Sequence, residues 1–250
     1  GGKGLFVKEL EEALLAHEAD IAVHSTKDVP AVLPPGLDLP IICTRDNPFD
    51  ALVSLRYANL RSLPPKAIVG TASLRRQSQL LAYRPDLQIK TLRGNINTRL
   101  AKLEAGEYDA IILAASGLER MGLKDCISEY LAAEVMLPTC GQGALSIECR
   151  RDDIEVLNLI APLNDASSAL CVRTERLVNA QLGGNCHVPL AVFCTFKEEQ
   201  LHVRTRLLSL DGTICLAHES KGIAQEATEL ARQCTEALLG QGAASLINLS

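Results

Sequence analysis

The sequence predicts an α/β protein of more than one domain, and three observations carry that reading. Between residues 67 and 114 short apolar runs alternate with amphipathic stretches, the pattern of a parallel α/β unit. After Asp165 a helical segment gives way to runs with period-two alternation, the pattern of a small antiparallel α/β unit. Crossings rich in Pro and Gly near residues 44–50 and 137–144 set these regions apart.

In order along the chain, apolar residues at 5, 6, 10, 13 and 14 form a helical stripe over residues 5–17. Residues 21–23 then read as a buried strand that ends in the polar HSTKDVP (24–30). Pro30, Pro34, Pro35 and Gly36 break the chain, and LPIICT (39–44) and DALVSL (50–55) read as strands around the turn-rich RDNPF. The alternation that follows is strand 67–70, helix 73–82, strand 88–92, helix 96–105 and strand 110–114. LPTCGQGA (137–144) leads into a strand over 145–149 and a helix through residue 160. A long helix runs from 165 to 182, the loop LGGNCHVP (182–189) follows, and PLAVFCTF, QLHVRTRLL and TICLAHES are three strands before a helix over 223–239.

The composition, 47% hydrophobic and 22% charged, is that of a folded globular protein and excludes disorder or collagen-like repeats. No apolar run is long enough to span a bilayer, and the opening GGKGLFVKEL has neither an h-region nor a small-residue cleavage site, so neither a membrane nor an export signal is expected. A net charge of −5, with four Tyr, four Phe and no Trp, argues against nucleic acid as a partner. The nine cysteines contain no C-x-x-C and mostly sit in apolar runs, reading as reduced core thiols of a cytoplasmic protein. No two histidines stand at i,i+3 or i,i+4, so no metal is expected.

One segment departs from this acidic background. Between Gly70 and Arg99 stand Arg75, Arg76, Arg84, Lys90, Arg93 and Arg99 against a lone Asp86. Four of these arginines lie beside the turns GTASLRR (70–76) and RGNINTR (93–99), where a strand hands over to a helix and backbone N–H groups point outward. Arginine grips planar carboxylates bidentately and keeps its charge, so the cluster reads as a site for a small polyanion. The alternative is a solvated helix face, against which stands the lack of i,i+4 acidic partners.

Asp28 follows a buried strand, and Pro30 stops the chain from continuing as a helix. The residues alone allow either a proton-handling carboxylate held at a strand end or an Asx-turn cap. Cys186, in the Gly-rich polar turn GGNCHVP, reads either as an exposed thiol fit for covalent attachment or as a structural cysteine. Gly141-Gln142-Gly143-Ala144 reads either as a close backbone approach to a ligand or as a hinge between domains, the hinge being favoured.

Together GGKGLF (1–6), HSTKDVP, GTASLRR, LRGNINTRL (92–100), AIILAASGLERMG (110–122), GQGA (141–144) and LGGNCHVP resemble, over essentially the whole chain, the bacterial hydroxymethylbilane synthase family, also called porphobilinogen deaminases. The resemblance implies a monomeric transferase that condenses four porphobilinogen molecules into a linear tetrapyrrole with release of ammonia, on the route to heme-type pigments. It implies a dipyrromethane cofactor joined by a thioether to Cys186, with Asp28 as the catalytic carboxylate that assists deamination and stabilises the resulting azafulvene cation. Ser25, Lys27, Thr71, Ser73, Arg75, Arg76, Arg93, Gly94, Arg99 and Arg120 are implied to hold the acetate and propionate arms. The implied fold is two lobes like those of a type II periplasmic binding protein, 1–44 with 144–161 and 49–138, plus a small cofactor-attachment domain over 165–250 with a three-stranded antiparallel sheet. Relative to the family pattern the chain lacks an N-terminal segment, carries Ala72 where Ser is common, and has Gly183-Gly184-Asn185 before the cysteine. The competing reading is a non-enzymatic polycarboxylate-binding or sensor protein on the same scaffold.

Overall fold

The computed structural model describes residues 2–184 and 188–247. Helix α1 (Gly2–Leu15) leads to strand β1 (Ile21–Ser25), a 3-10 turn over Thr26–Asp28, and β2 (Leu37–Ile42). The chain then crosses to β3 (Asp50–Val53), β4 (Ile68–Gly70), α2 (Leu74–Tyr83), β5 (Gln88–Lys90), α3 (Ile96–Glu104), β6 (Ala110–Ala114), α4 (Ala115–Arg120) and β7 (Glu129–Leu131). It returns through residues 132–144 to β8 (Leu145–Arg150) and α5 (Ile154–Ile160). Helix α6 (Ala166–Gln181) opens the last unit, followed by β9 (Leu190–Lys197), β10 (Gln200–Leu208), β11 (Cys215–Ile223), α7 (Ala227–Gly240) and α8 (Ala243–Ile247).

Three sheets result. The first has the order β1-β8-β2 and is antiparallel throughout, with Ile21 opposite Cys149 and Ser25 opposite Leu145. Its centre is β8, whose run LSIECR is buried on both faces as a middle strand requires. The second sheet has the order β5-β4-β6-β3-β7. The parallel unit expected over residues 67–114 is present, β4 pairing in parallel with β5 and β6, and the sheet becomes mixed because β3 adds to it antiparallel to both β6 and β7. The physical reason is the route of the chain. Strand β3 arrives from the other lobe with no crossover helix to turn it, and β7, only three residues long, is too short to show a period. Leu52, Leu80 and Ile112 fill one face of this sheet and Leu92, Ile111 and Leu118 the other. Each such side chain stabilises the fold by roughly 1.5–3 kcal/mol.

The third sheet is the antiparallel meander β11-β10-β9, and it buries Leu201, Val203 and Leu207 beneath α6 and α7. Strand β11 extends past the expected end to Ile223, and a 3-10 turn over Ala224–Glu226 delays the following helix to Ala227.

The two crossings between lobes lie side by side. Cys43 N donates to Leu145 O at 2.9 Å and Asp46 N to Gly143 O at 3.1 Å. Gly143 has φ +88°, and a Cβ there would stand 2.7 Å from Asp46 O, so the contact requires glycine. Two α/β lobes joined by paired crossings form the type II periplasmic-binding-protein arrangement, with the three-stranded unit as an addition.

Candidate active site

Asp28 ends the 3-10 turn that follows β1. The turn is pinned by Thr26 N donating to Ala144 O at 3.0 Å and closed by Val29 N donating to Thr26 O at 3.1 Å, so it sits against the hinge. Lys27 and Asp28 line a cleft of about 470 Å³, whose opposite side carries Ser73, Arg75, Arg76 and Arg99. Pairing of β1 with β8 holds the turn in the first lobe, while α2 and α3 bring the arginines from the second.

Helix α2 starts where β4 ends. Ser73 caps it by accepting from Arg76 N at 3.4 Å, and Thr71 Oγ1 accepts from Ser73 N at 3.1 Å. Thr71 is buried and supports the cap without lining the cleft. Gln79 braces the helix from behind, its Oε1 accepting from Leu137 N and from Arg206 Nη1, both at 2.9 Å.

Arg75 and Arg76 are both nearly buried, and they converge on one carboxylate. Arg75 Nη1 lies 2.8 Å from Asp50 Oδ2, and Arg76 Nη2 lies 2.8 Å from Asp50 Oδ1. Arg75 also donates to Leu137 O and Arg76 to Ile112 O, at 2.8 and 3.1 Å. The expected lack of i,i+4 acidic partners holds for Arg75 and Arg76, yet a distant carboxylate pairs with both. The partner comes from β3, 26 residues before Arg76, not from the same helix face. Burial raises the Asp50 pKa, but Arg75 and Arg76 outweigh it and hold the carboxyl at about 2. Two guanidinium groups against one carboxylate leave a positive charge beside the cleft.

Arg99 adds to that excess. Its Nε donates to Gly94 O at 2.8 Å, burial lowers its pKa, and no carboxylate pairs with it among the described residues. Arg93 and Gly94 are exposed and do not line the cleft, although the Gly94 carbonyl orients Arg99. Asn95 caps α3 by accepting from Thr98 N at 2.8 Å.

A smaller recess of about 50 Å³ adjoins the cleft at Lys27 and is lined by Ser25, Ser116, Gly117, Arg120 and Gly143. Arg120 spans the two crossings, with Nε 2.8 Å from Asp46 Oδ2 and Nη2 2.8 Å from Gly143 O.

Cys186 and its neighbours Asn185 and His187 lie outside the described residues. Gly184 and Val188, before and after them, both line the cleft. Cys140 lines it too, but burial raises its thiol pKa and leaves it a poor nucleophile.

Sequence reasoning missed Asp50 and the pair Arg45–Glu175 beneath the crossings, whereas Gln142, in the motif read as a ligand approach or a hinge, does line the cleft. The available signal for Asp50 was an acid opening the apolar run DALV, since a buried carboxylate needs a cation.

Residues 1–158 match the family model described as porphobilinogen deaminase, dipyromethane cofactor binding domain, and residues 169–240 match porphobilinogen deaminase, C-terminal domain. A porphobilinogen deaminase of Legionella pneumophila strain Paris is 64% identical over 249 residues, covering 99% of this chain and 81% of that protein. The chain belongs to the porphobilinogen deaminase family. A further porphobilinogen deaminase, from L. pneumophila strain Philadelphia 1, is 63% identical with the same coverage of 99% and 81%. Solved structures similar in part include a nutrient binding protein from Burkholderia cenocepacia bound to methionine, with TM-score 0.41 and 14% identity over 60% of this chain and 73% of that one. Another is a lipoprotein of the YaeC family from Enterococcus faecalis, with TM-score 0.41 and 18% identity over 63% and 76%. Membership of the porphobilinogen deaminase family brings with it a dipyrromethane cofactor, and the desolvated Arg99, paired with no carboxylate among the described residues, fits such a polycarboxylate beside the Arg75–Arg76 excess.

Proposed function

We propose that this chain condenses four porphobilinogen molecules head to tail into hydroxymethylbilane, releasing ammonia at each addition, with Asp28 as its catalytic carboxylate. The observation that carries the reading is a single cleft in which one strand-end carboxylate faces an excess of guanidinium groups. Arg75, Arg76 and Arg99, with Lys27 and Ser73, bind the acetate and propionate arms and so fix the orientation of each incoming pyrrole. Arg120 and Ser25 offer a further carboxylate position in the adjoining recess, Thr71 supports the start of α2, and the Gly94 carbonyl orients Arg99.

Asp28 delivers a proton to the departing amine of the substrate. As a carboxylate it then stabilises the positive charge left on the pyrrole through the ring N–H, and it accepts the proton released when the new carbon–carbon bond forms. The dipyrromethane, held by a thioether to Cys186, supplies when bound the nucleophilic primer from which the chain grows. A bare polycarboxylate binder would need the arginines but not Asp28, and the family placement favours the enzyme.

The finer setting is part of the same proposal. One chain supplies both the carboxylate and the arginine lining, which supports function as a monomer. The eight described cysteines are unpaired thiols, which supports the cytoplasm, and no helix among the described residues is long and apolar enough to cross a membrane.

Asp28→Asn tests the assignment. The variant is expected to keep its melting temperature and lose about 10²- to 10⁴-fold in kcat. Wild-type turnover from it removes Asp28 from the mechanism.

A further inference from the structure

Helix α6 carries two adjacent charged residues that reach in different directions. Glu175 holds the crossings, accepting from Arg45 Nη1 at 2.6 Å and from the backbone N–H groups of Gly141 and Cys194 at 2.7 Å each. Arg176, the next residue, reaches the catalytic turn. Its Nη2 donates to Pro30 O at 2.8 Å and lies 3.4 Å from Ala31 O, and its Nη1 lies 3.4 Å from Val29 O. These carbonyls belong to the three residues directly after Asp28.

Arg176 is half-buried, and its hydrogen bonds go to these backbone carbonyls. No carboxylate forms an ion pair with it among the described residues; burial lowers its pKa, opposed by the more distant Cys140 and Glu148. Residues 29–36 belong to no strand or helix, and Pro30 has no N–H to tie the segment elsewhere. From Arg176 the helix runs on to Gln181.

We propose that Arg176 is a positioning residue for the reaction: by gripping the carbonyls of Val29, Pro30 and Ala31 it sets where Asp28 stands in the cleft, opposite the arginines of α2 and α3. The inference rests on the reading of Asp28 as the catalytic carboxylate. The guanidinium fork spans three acceptors at once, which a lysine ammonium, as a point charge, does not. Its loss leaves the turn tied to Ala144 and closed by Val29 N on Thr26 O, and removes the side-chain grip on the carbonyls that follow Asp28. The arginines of α2 and α3 are untouched, so substrate binding holds while the reacting groups fall out of register.

The experiment compares Arg176→Met, Arg176→Lys and Asp28→Asn in the full chain carrying its cofactor. It measures KM, melting temperature, and kcat per loaded molecule, with loading read from intact mass. Arg176→Met is expected to lower kcat per loaded molecule about ten- to hundredfold with KM within about threefold of wild type, and Arg176→Lys to fall between. Lower melting temperature or loading with an unchanged kcat per loaded molecule marks a merely structural role and overturns the proposal. Where Arg176→Met does not fold, the lysine variant decides, since wild-type kcat there overturns the proposal and an intermediate value supports it. An active Asp28→Asn sinks the underlying reading and the inference with it. An inactive Asp28→Asn beside an unimpaired Arg176→Met sinks the inference alone.

Discussion

The hinge and the cleft each bury guanidinium groups against a single carboxylate, and the charge closes in one and not in the other. At the hinge Arg45 meets Glu175 with Nη1 to Oε1 at 2.6 Å and Nη2 to Oε2 at 3.2 Å. Its Nε donates to Gln142 O at 2.9 Å, and its guanidinium lies 5.1 Å from the Phe193 ring centre. Burial works against this charge, yet Glu175 outweighs it and the Arg45 pKa is raised. At the cleft Asp50 faces both Arg75 and Arg76, and burial lowers the Arg76 pKa. A matched pair is a joint, whereas an unmatched pair beside a cavity is a site with room for a counter-ion. Both lower the cost of burying charge; only the second leaves attraction to offer a ligand.

The largest effect is expected from breaking the closed pair. Arg45→Met leaves Glu175 as a buried unpaired charge and is expected to cost about 3–5 kcal/mol in urea unfolding, most of it recovered in Arg45→Met/Glu175→Leu. Recovery fits a joint whose charge matters only to itself, and a double variant as unstable as the single one breaks the comparison.

Acid unfolding sharpens the other side. The Asp50 carboxyl is depressed from 3.8 to about 2 in the folded chain, so its stabilising contribution is complete above pH 3.8 and is lost as pH falls through about 2. That contribution is of order 2 kcal/mol. Urea midpoints at pH 5 and pH 2.5 are therefore expected to differ more in the wild type than in Asp50→Asn. Equal differences would show that the two arginines do not depend on Asp50.

Arg99→Leu is expected to move stability least, within about 0.5 kcal/mol, because Arg99 has no carboxylate to orphan among the described residues. Its effect belongs to function: KM for porphobilinogen is expected to rise about tenfold while the melting temperature holds. A large loss of stability would make Arg99 a joint like Arg45.

Much of this was legible in the residues. The helix starts at Ser73 and Asn95, the strand end at Asp28 and the antiparallel meander of the last unit follow from caps, prolines and periodicity within a few residues. The same local signals placed Arg75, Arg76 and Arg99 beside helix N-termini. The orientation of β3 was not legible, because strand direction depends on where the chain comes from and not on the four residues of the strand. Nor did Asp46 beside Arg120 or Asp50 beside Arg75 announce themselves, since each pair joins separate segments.

The sequence by itself determined which elements form, in what order, and which residues have the chemistry to bind carboxylates and move protons, because capping, periodicity and side-chain type are local properties. Only the tertiary structure decided which charges are spent. Asp50 reaches back to α2, Glu175 reaches Arg45 across 130 residues, and Arg176 reaches the carbonyls after Asp28 across some 145. Burial makes each unpaired charge costly, so the fold settles where long-range partners meet, and Arg76 and Arg99, without a full partner among the described residues, line the cleft.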